Sequence, residues 1–252
     1  METLRILHMY PNMLDLYGDS GNMELLAYRL KMRGYSSVKD DYTLGDGAKT
    51  DFSSYDLIYL GGGADFEQQL LAEDLLSCRD KIASAHKSGV FMLMICGGYQ
   101  LMGQYYKDSN DKKIPGLGLF DYYTVASTNK RERCIGNIVI ETDFCGEKYK
   151  VIGFENHGGM TDNVRTPFGR VLFGNGNKFG SESEGYTEKN VIATYLHGPL
   201  LAKNPKLADK ILTYCLSRKA GREVTLPPLD DTLEKKCREV MLKRLLEEKK
   251  KK

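Results

Sequence analysis

Residues 90–95 read VFMLMI, six consecutive apolar side chains that break off at Cys96-Gly97-Gly98. The run is far short of the ~20 residues that span a bilayer, and it lacks the alternation of a strand with one wet face. It fits a strand covered on both sides, as in a parallel sheet, and parallel strands need long crossovers between them. The preceding segments supply these. LRILHMY (4–10) reads as a first strand and NMELLAYRLKMRGY (22–35) as a helix, with Leu26, Leu30 and Arg33 along one side and Gly34 at its end. YDLIYLGGG (55–63) reads as a buried strand entering a glycine loop. The stretch 65–89 reads as one helix opened by Asp65 as N-cap, with Leu71, Leu75, Cys78 and Ile82 on one face and Gly89 as its stop. Strand and helix alternate, so the first half is expected to be a doubly wound α/β sheet.

The second half is richer in strands. GLGLFDYYTV (116–125), CIGNIVIET (134–142), YKVIGFENHGG (149–159), GRVLFGNGN (169–177) and VIATYLHG (191–198) are candidates, punctuated by Gly and Asn. Two helices follow, near 205–219 and 230–248; the stripe Leu229, Leu233, Cys237, Met241 and Leu245 on the second is expected to dock on the body. The closing EEKKKK reads as a solvated basic tail. No repeat or low-complexity linker divides the 252 residues, which are expected to form a single domain, 1–252.

Charge excludes some function classes. With 36 basic and 34 acidic residues the formal net charge is +2, too balanced to single out nucleic acid or an anionic membrane. Six scattered cysteines without a CxxC, and an N-terminal stretch unlike a signal peptide, point to reduced thiols in the cytosol and to no metal site.

Cys96 is then the informative thiol. It sits where a buried strand ends and GGYQLMGQYY turns helical, at the sheet edge where open α/β folds bind ligands. A helix N-terminus there offers free N–H groups and partial positive charge, which favour a thiolate and can stabilise an oxyanion. Gly97 and Gly98 allow the sharp turn of a nucleophile elbow. The alternative is a small buried hydrophobe, the reading suited to Cys78, Cys215 and Cys237.

A cysteine nucleophile needs a proton carrier, and the chain has four histidines. His86 lies on a polar helix face, and His8, in the first strand, suits a satisfied core histidine. His157, in FENHGGM, follows a strand among glycines and could line a site. His197, in VIATYLHGPLL, ends an apolar strand and would project at the same edge as Cys96, so spacing favours it. The loop Gly61–Gly63 ends the neighbouring strand. One N–H from it and one from Gly97 would make an oxyanion hole.

These residues resemble the class I glutamine amidotransferase family, in the branch typified by cobyric acid synthase. GGG after a strand, MICGGYQLMG and a late TYLHGP carry the resemblance. The motifs LDLYGDSGNMELL, STNKRERCIGNIVIET and GFENHGG extend it over nearly the whole chain and favour the glutaminase subunits of lipid II isoglutaminyl synthase. The resemblance implies a flavodoxin-like doubly wound, mostly parallel sheet with flanking helices and additional C-terminal ones. It implies a glutaminase in which Cys96 attacks the side-chain amide of glutamine and backbone N–H groups near Gly63 and Gly97 hold the oxyanion. His197 would protonate departing ammonia and then activate water against the thioester. Arg133, with Arg131 as close rival, would hold the substrate, together with Gln100 and Gly62.

Two departures stand out. Many class I domains carry a glutamate two residues after the histidine; here that position is Pro199, so the third catalytic carboxylate is absent at its expected place and a Cys-His dyad is expected, while what orients His197 stays open. Relatives also often have glycine two residues before the cysteine, where this chain has Met94, so the strand approaching the elbow is expected to pack differently.

Forming an amide from a carboxylate needs activation, yet no G-x-x-x-x-G-K-[ST] loop occurs, and GDGAKT (45–50) only mimics its ending. No cofactor is therefore expected on this chain. The resemblance implies that ATP and Mg sit on a MurT-like partner of the Mur-ligase family, which would amidate the D-glutamate of lipid II at the inner membrane face. Another amidating synthase's glutaminase, a stand-alone γ-glutamyl hydrolase, or a binding module on the same fold remain alternatives.

Overall fold

The computed structural model describes residues 2–249. A six-stranded sheet forms its centre. Strands β1 (Thr3–Met9), β2 (Ser36–Tyr42), β3 (Leu57–Leu60) and β4 (Phe91–Ile95) come from the first half, separated by helices α1 (Gly21–Lys31), α2 (Asp65–Ser77) and α3 (Arg79–Lys87). After α4 (Gly97–Met102), a four-stranded sheet contains β5 (Tyr105–Lys107), β6 (Lys113–Pro115), β7 (Tyr123–Ala126) and, from later in the chain, β10 (Gly159–Asp162). A second four-stranded sheet, antiparallel throughout, contains β8 (Cys134–Thr142), β9 (Tyr149–His157), β11 (Gly169–Phe173) and β12 (Ser183–Glu184). The chain then returns to the central sheet with β13 (Tyr186–Glu188) and β14 (Val191–Thr194) and ends in α5 (Pro205–Ala220) and α6 (Thr232–Lys249).

The central order is β13-β14-β4-β3-β1-β2, with every pair parallel except β13–β14. Its five parallel strands therefore run 2-1-3-4-5 in chain order, the flavodoxin-like winding. The apolar run explains why β4 is central: Phe91 to Ile95 are all fully buried, with β3 and β14 on its two sides. Met94 fits this frame, opposite Leu60 on one neighbour and Ala193 on the other.

Three sequence expectations are corrected. The stretch 65–89 is two helices that break at Cys78 (φ −95, ψ 0), although Leu71, Leu75, Cys78 and Ile82 keep one buried face across the break. The strand β2 has mostly exposed or half-exposed polar side chains, so hydrophobic patterning gave no sign of it; backbone pairing at the sheet edge forms it. On α6 only the distal part of the expected stripe docks. Leu245 is buried against Val139 and Ile152 with Met241 alongside, whereas Leu233 and Cys237 are exposed. The proximal part of α6 is held instead by Arg238, which donates to the carbonyls of Lys203 (2.7 Å) and Lys150 (2.8 Å). Lys250–Lys252 of the basic tail lie outside the described residues.

Candidate active site

The parallel strands deliver the site from their C-terminal ends. Strand β4 ends at Cys96, whose N–H donates to the carbonyl of Thr194 (2.8 Å), tying the elbow to β14. Its backbone is left-handed, φ 51 and ψ −101, a conformation that costs a non-glycine residue about 1–3 kcal/mol and recurs at functional turns. Gly98 permits this turn because a Cβ there would lie 2.4 Å from the carbonyl oxygen of Leu60.

Strand β3 ends in the glycine loop. A Cβ on Gly62 would lie 3.1 Å from Cβ of Cys96, 3.7 Å from its Sγ and 3.2 Å from Cε1 of His197. Thiol and imidazole thus converge on one glycine, although 101 positions separate them in the chain. Among the described residues, the N–H groups of Gly63 and Gly97 donate to no protein acceptor. The Gly63 nitrogen lies 3.2 Å from where a Gly97 Cβ would stand, so the two donors come from adjacent loops.

His197 follows β14, and its backbone is fixed by a pair of bonds with Phe154 on β9 (3.1 and 2.8 Å). Its Nδ1 is hydrogen-bonded to Oδ2 of Asp19, and both side chains are fully buried. The other Asp19 oxygen accepts from the Gly198 N–H (3.0 Å). The question of what orients this imidazole, open in the sequence, is answered by Asp19. Pro199 does vacate the usual position, but the loop after β1 brings Asp19 to the same nitrogen from the opposite end of the chain. Asp19 lay within the quoted YGDSGN motif, just ahead of helix α1, and nothing in its local pattern distinguished it from a helix-capping acid.

Burial opposes charging of His197, but the charge of Cys96 and the bond to Asp19 outweigh it and raise its pKa to about 10. Among the described residues its Nε2 makes no hydrogen bond, so that nitrogen is available for proton transfer. His157 contrasts with it. The ring stacks on Tyr195 with centroids 3.6 Å apart, Nδ1 bonds to the carbonyl of Gly159 (2.7 Å), and burial lowers its pKa to about 3. It lines the same cavity as a neutral ring. His8 is buried as expected, but neither ring nitrogen has a partner; His86 pairs with Glu188 (3.1 Å).

A cavity of about 910 Å³ opens above Cys96, lined also by Gly63, Gln100, Arg133, Asn156 and His157. Arg133 lines it and Arg131 does not. The guanidinium gives Nε (3.2 Å) and Nη2 (2.9 Å) to Oδ1 of Asn156. Gln100 is there too, but its amide is held by protein: Oε1 accepts from Gln68 (3.0 Å), and Nε2 donates to the Tyr195 hydroxyl (3.3 Å). Gln68, Asn156 and Tyr17 also line the cavity and were not identified from the sequence. Tyr17 and Asn156 lie within LDLYGDSGNMELL and GFENHGG, but neither motif assigns them a role, and only the convergence of three elements does.

Residues 5–205 match the model of the CobB/CobQ-like glutamine amidotransferase domain. The chain is a glutamine amidotransferase of that family. The amidotransferase is 39% identical over 94% of its length, and 89% of the relative's, to the lipid II isoglutaminyl synthase (glutamine-hydrolyzing) subunit GatD of Streptococcus pneumoniae. It is 36% identical to the GatD subunit of Staphylococcus aureus, over 99% of both chains. A crystal structure of a glutamine amidotransferase superposes on it with a TM-score of 0.55 at 15% identity, covering 83% of this chain and 98% of that one, which shows a shared fold. The resemblance read from the sequence is thus borne out.

Glu184 of the amidotransferase buttresses the strand end that carries His197. It is fully buried and accepts from Thr194 Oγ1 (2.9 Å) and the Tyr195 N–H (2.7 Å). Burial outweighs these bonds and raises its pKa to about 8, so near neutrality it holds a proton that the unfolded chain has released. The native state binds more protons between pH 4.5 and about 8, and stability must fall as pH rises through that window. Glu184→Gln is expected to flatten this slope, by roughly 2–4 kcal/mol across the window. Urea midpoints measured from pH 5 to 8 for both proteins check it; parallel curves would count against a protonated Glu184.

Proposed function

We propose that Cys96, His197 and Asp19 form a catalytic triad that hydrolyses L-glutamine through a γ-glutamyl thioester. The convergence of thiol and carboxylate-bound imidazole on Gly62, at the base of an arginine-lined cavity, carries this reading. Sγ attacks the side-chain amide carbon, and the oxyanion is received by the N–H groups of Gly63 and Gly97. His197, charged and oriented by Asp19, gives the Nε2 proton to the leaving nitrogen, which departs as ammonia. Neutral His197 then takes a proton from water, whose oxygen attacks the thioester and releases glutamate. Arg133 holds the α-carboxylate of glutamine, with Gln100 and Gly62 shaping its surroundings.

The ammonia is consumed elsewhere, because the chain carries no Walker-type phosphate loop. The two GatD relatives are named as subunits of lipid II isoglutaminyl synthase. On that basis the partner is a MurT-like, ATP- and Mg-dependent subunit of the Mur-ligase family, and the acceptor is the D-glutamate α-carboxyl of the lipid II stem peptide, amidated to D-isoglutamine. Among the described residues no helix is long and apolar enough to cross a membrane, so the partner and its lipid acceptor would place the complex at the cytoplasmic face.

The test is reconstitution. The chain, co-purified with its ATP-binding companion, is expected to convert lipid II to the amidated form only with glutamine, ATP and Mg present, and the chain alone to release ammonia weakly. Strong ammonia release by the isolated chain, with no change in lipid II when the companion is added, would identify a stand-alone hydrolase instead.

A further inference from the structure

Tyr17 combines features that core packing does not account for. The residue is 44% exposed, yet its backbone is left-handed, φ 67 and ψ 15, followed by Gly18 at φ 70. A bulky residue adopts that conformation rarely, and an exposed one gains little burial in return. What the conformation achieves is placement. The ring packs edge-to-face on His197, centroids 4.9 Å apart, and the hydroxyl accepts from Nδ2 of Asn156 (2.6 Å). Asn156 in turn accepts from Nε and Nη2 of Arg133, which leaves Nη1 uncommitted beside Gly158. An unbroken chain of contacts thus runs from Arg133 through Asn156 and Tyr17 to the imidazole.

The loop that holds Tyr17 is itself anchored. The Leu16 N–H donates to the carbonyl of Gly62 (3.0 Å), and the Ser20 N–H donates to Oδ1 of Asp15 (2.6 Å). Asp19 lies two residues on, so one short loop grips His197 twice: at Nδ1 by a carboxylate and at the ring by an aromatic side chain.

We propose that Tyr17 is a positioning residue that couples the substrate-binding arginine to the proton-carrying histidine, so that occupancy of Arg133 fixes the His197 ring for transfer. This rests on the glutaminase reading above, in which Arg133 takes the α-carboxylate. A bound carboxylate immobilises Arg133 and, through Asn156, the Tyr17 hydroxyl. The coupling favours amides that carry an α-carboxylate over simple carboxamides.

The test uses the full-length chain and a glutamine-derived diazoketone, whose capture at Cys96 reports binding and reaction separately. Tyr17→Phe keeps the ring and removes the hydroxyl. It is expected to lower the limiting rate about fivefold to tenfold, the loss of one hydrogen bond in the chain that fixes His197, with half-saturation changed less than threefold. Tyr17→Ala is expected to lower the limiting rate about tenfold or more and to move the basic limb of its pH profile downward, because the imidazole loses the ring that holds it against Asp19. Thermal denaturation and labelling of each variant show whether it is folded. Both variants matching wild type in half-saturation, limiting rate and pH profile would overturn the inference, as would Phe and Ala variants equally impaired with equal loss of thermal stability. Wild type that forms no adduct at Cys96 would instead remove the glutaminase reading on which it stands.

Discussion

Replacement of Cys96 by alanine is expected to lower ammonia release from glutamine by at least about a thousandfold, because among the described residues Cys96 is the one thiol that lines the cavity. The fold should hardly notice. The side chain is small, and its elbow is set by Gly98 and by the bond from its N–H to Thr194, both of which the substitution keeps. A glutamine-shaped electrophile should label wild type at Cys96 and leave the alanine variant unlabelled. The shape matters: Cys145 and Cys237 are exposed and would react with an unselective reagent. Cys96→Gly makes a second, opposite prediction about stability. Glycine accepts φ 51 without strain, so this inactive variant should match or exceed wild type in denaturant midpoint. Equal ammonia release by wild type and Cys96→Ala would end the acyl-enzyme proposal.

Asp19→Asn carries the second largest effect and separates a triad from a dyad. The amide can fill the same space but offers an N–H or a weak carbonyl acceptor where a carboxylate stood, so the imidazole loses both its oriented tautomer and its charge partner. A fall in kcat of about a hundred- to ten-thousandfold is expected, with a smaller change in KM. The pH dependence has a definite sign. In the folded wild type the imidazole pKa is about 10 against 6.5 in the unfolded chain. The stabilisation from holding the proton is complete below pH 6.5 and lost as pH rises toward 10. The asparagine variant should show a shallower loss over that alkaline window, measured as denaturant midpoint against pH, and a basic limb of activity displaced downward. An Asp19→Asn protein with wild-type kcat and an unmoved basic limb would return the site to a Cys-His dyad.

The mouth of the cavity carries exposed apolar side chains. Leu16, Tyr17 and Phe66 line it and are between 41 and 66% exposed. Such a rim is poorly suited to bulk solvent. It is consistent with weak activity for the isolated chain, the outcome expected in the reconstitution test.

Some of this protein was fixed by local sequence. The run 90–95 demands two covered faces whatever surrounds it, and Gly97 and Gly98 mark the one place where the chain can turn sharply at the end of that strand. From these come the central β4, the parallel sheet and the position of a thiol at its rim. His197 was legible for the same reason, since Val191–Thr194 is also a continuous apolar strand that must end at that edge. Tertiary structure decided what surrounds them. Asp19 sits 178 positions from His197, and its short polar context, LYGDSGN, suits a helix start as well as a catalytic carboxylate. Arg133, Asn156 and Tyr17 come from three separate elements and meet only when β8 and β9 pair and the loop after β1 folds over the strand ends. Periodicity reports which face of an element is dry, because burial acts on each residue near its own position in the chain. It carries no record of which distant polar atoms will face one another, since that pairing depends on how whole sheets pack.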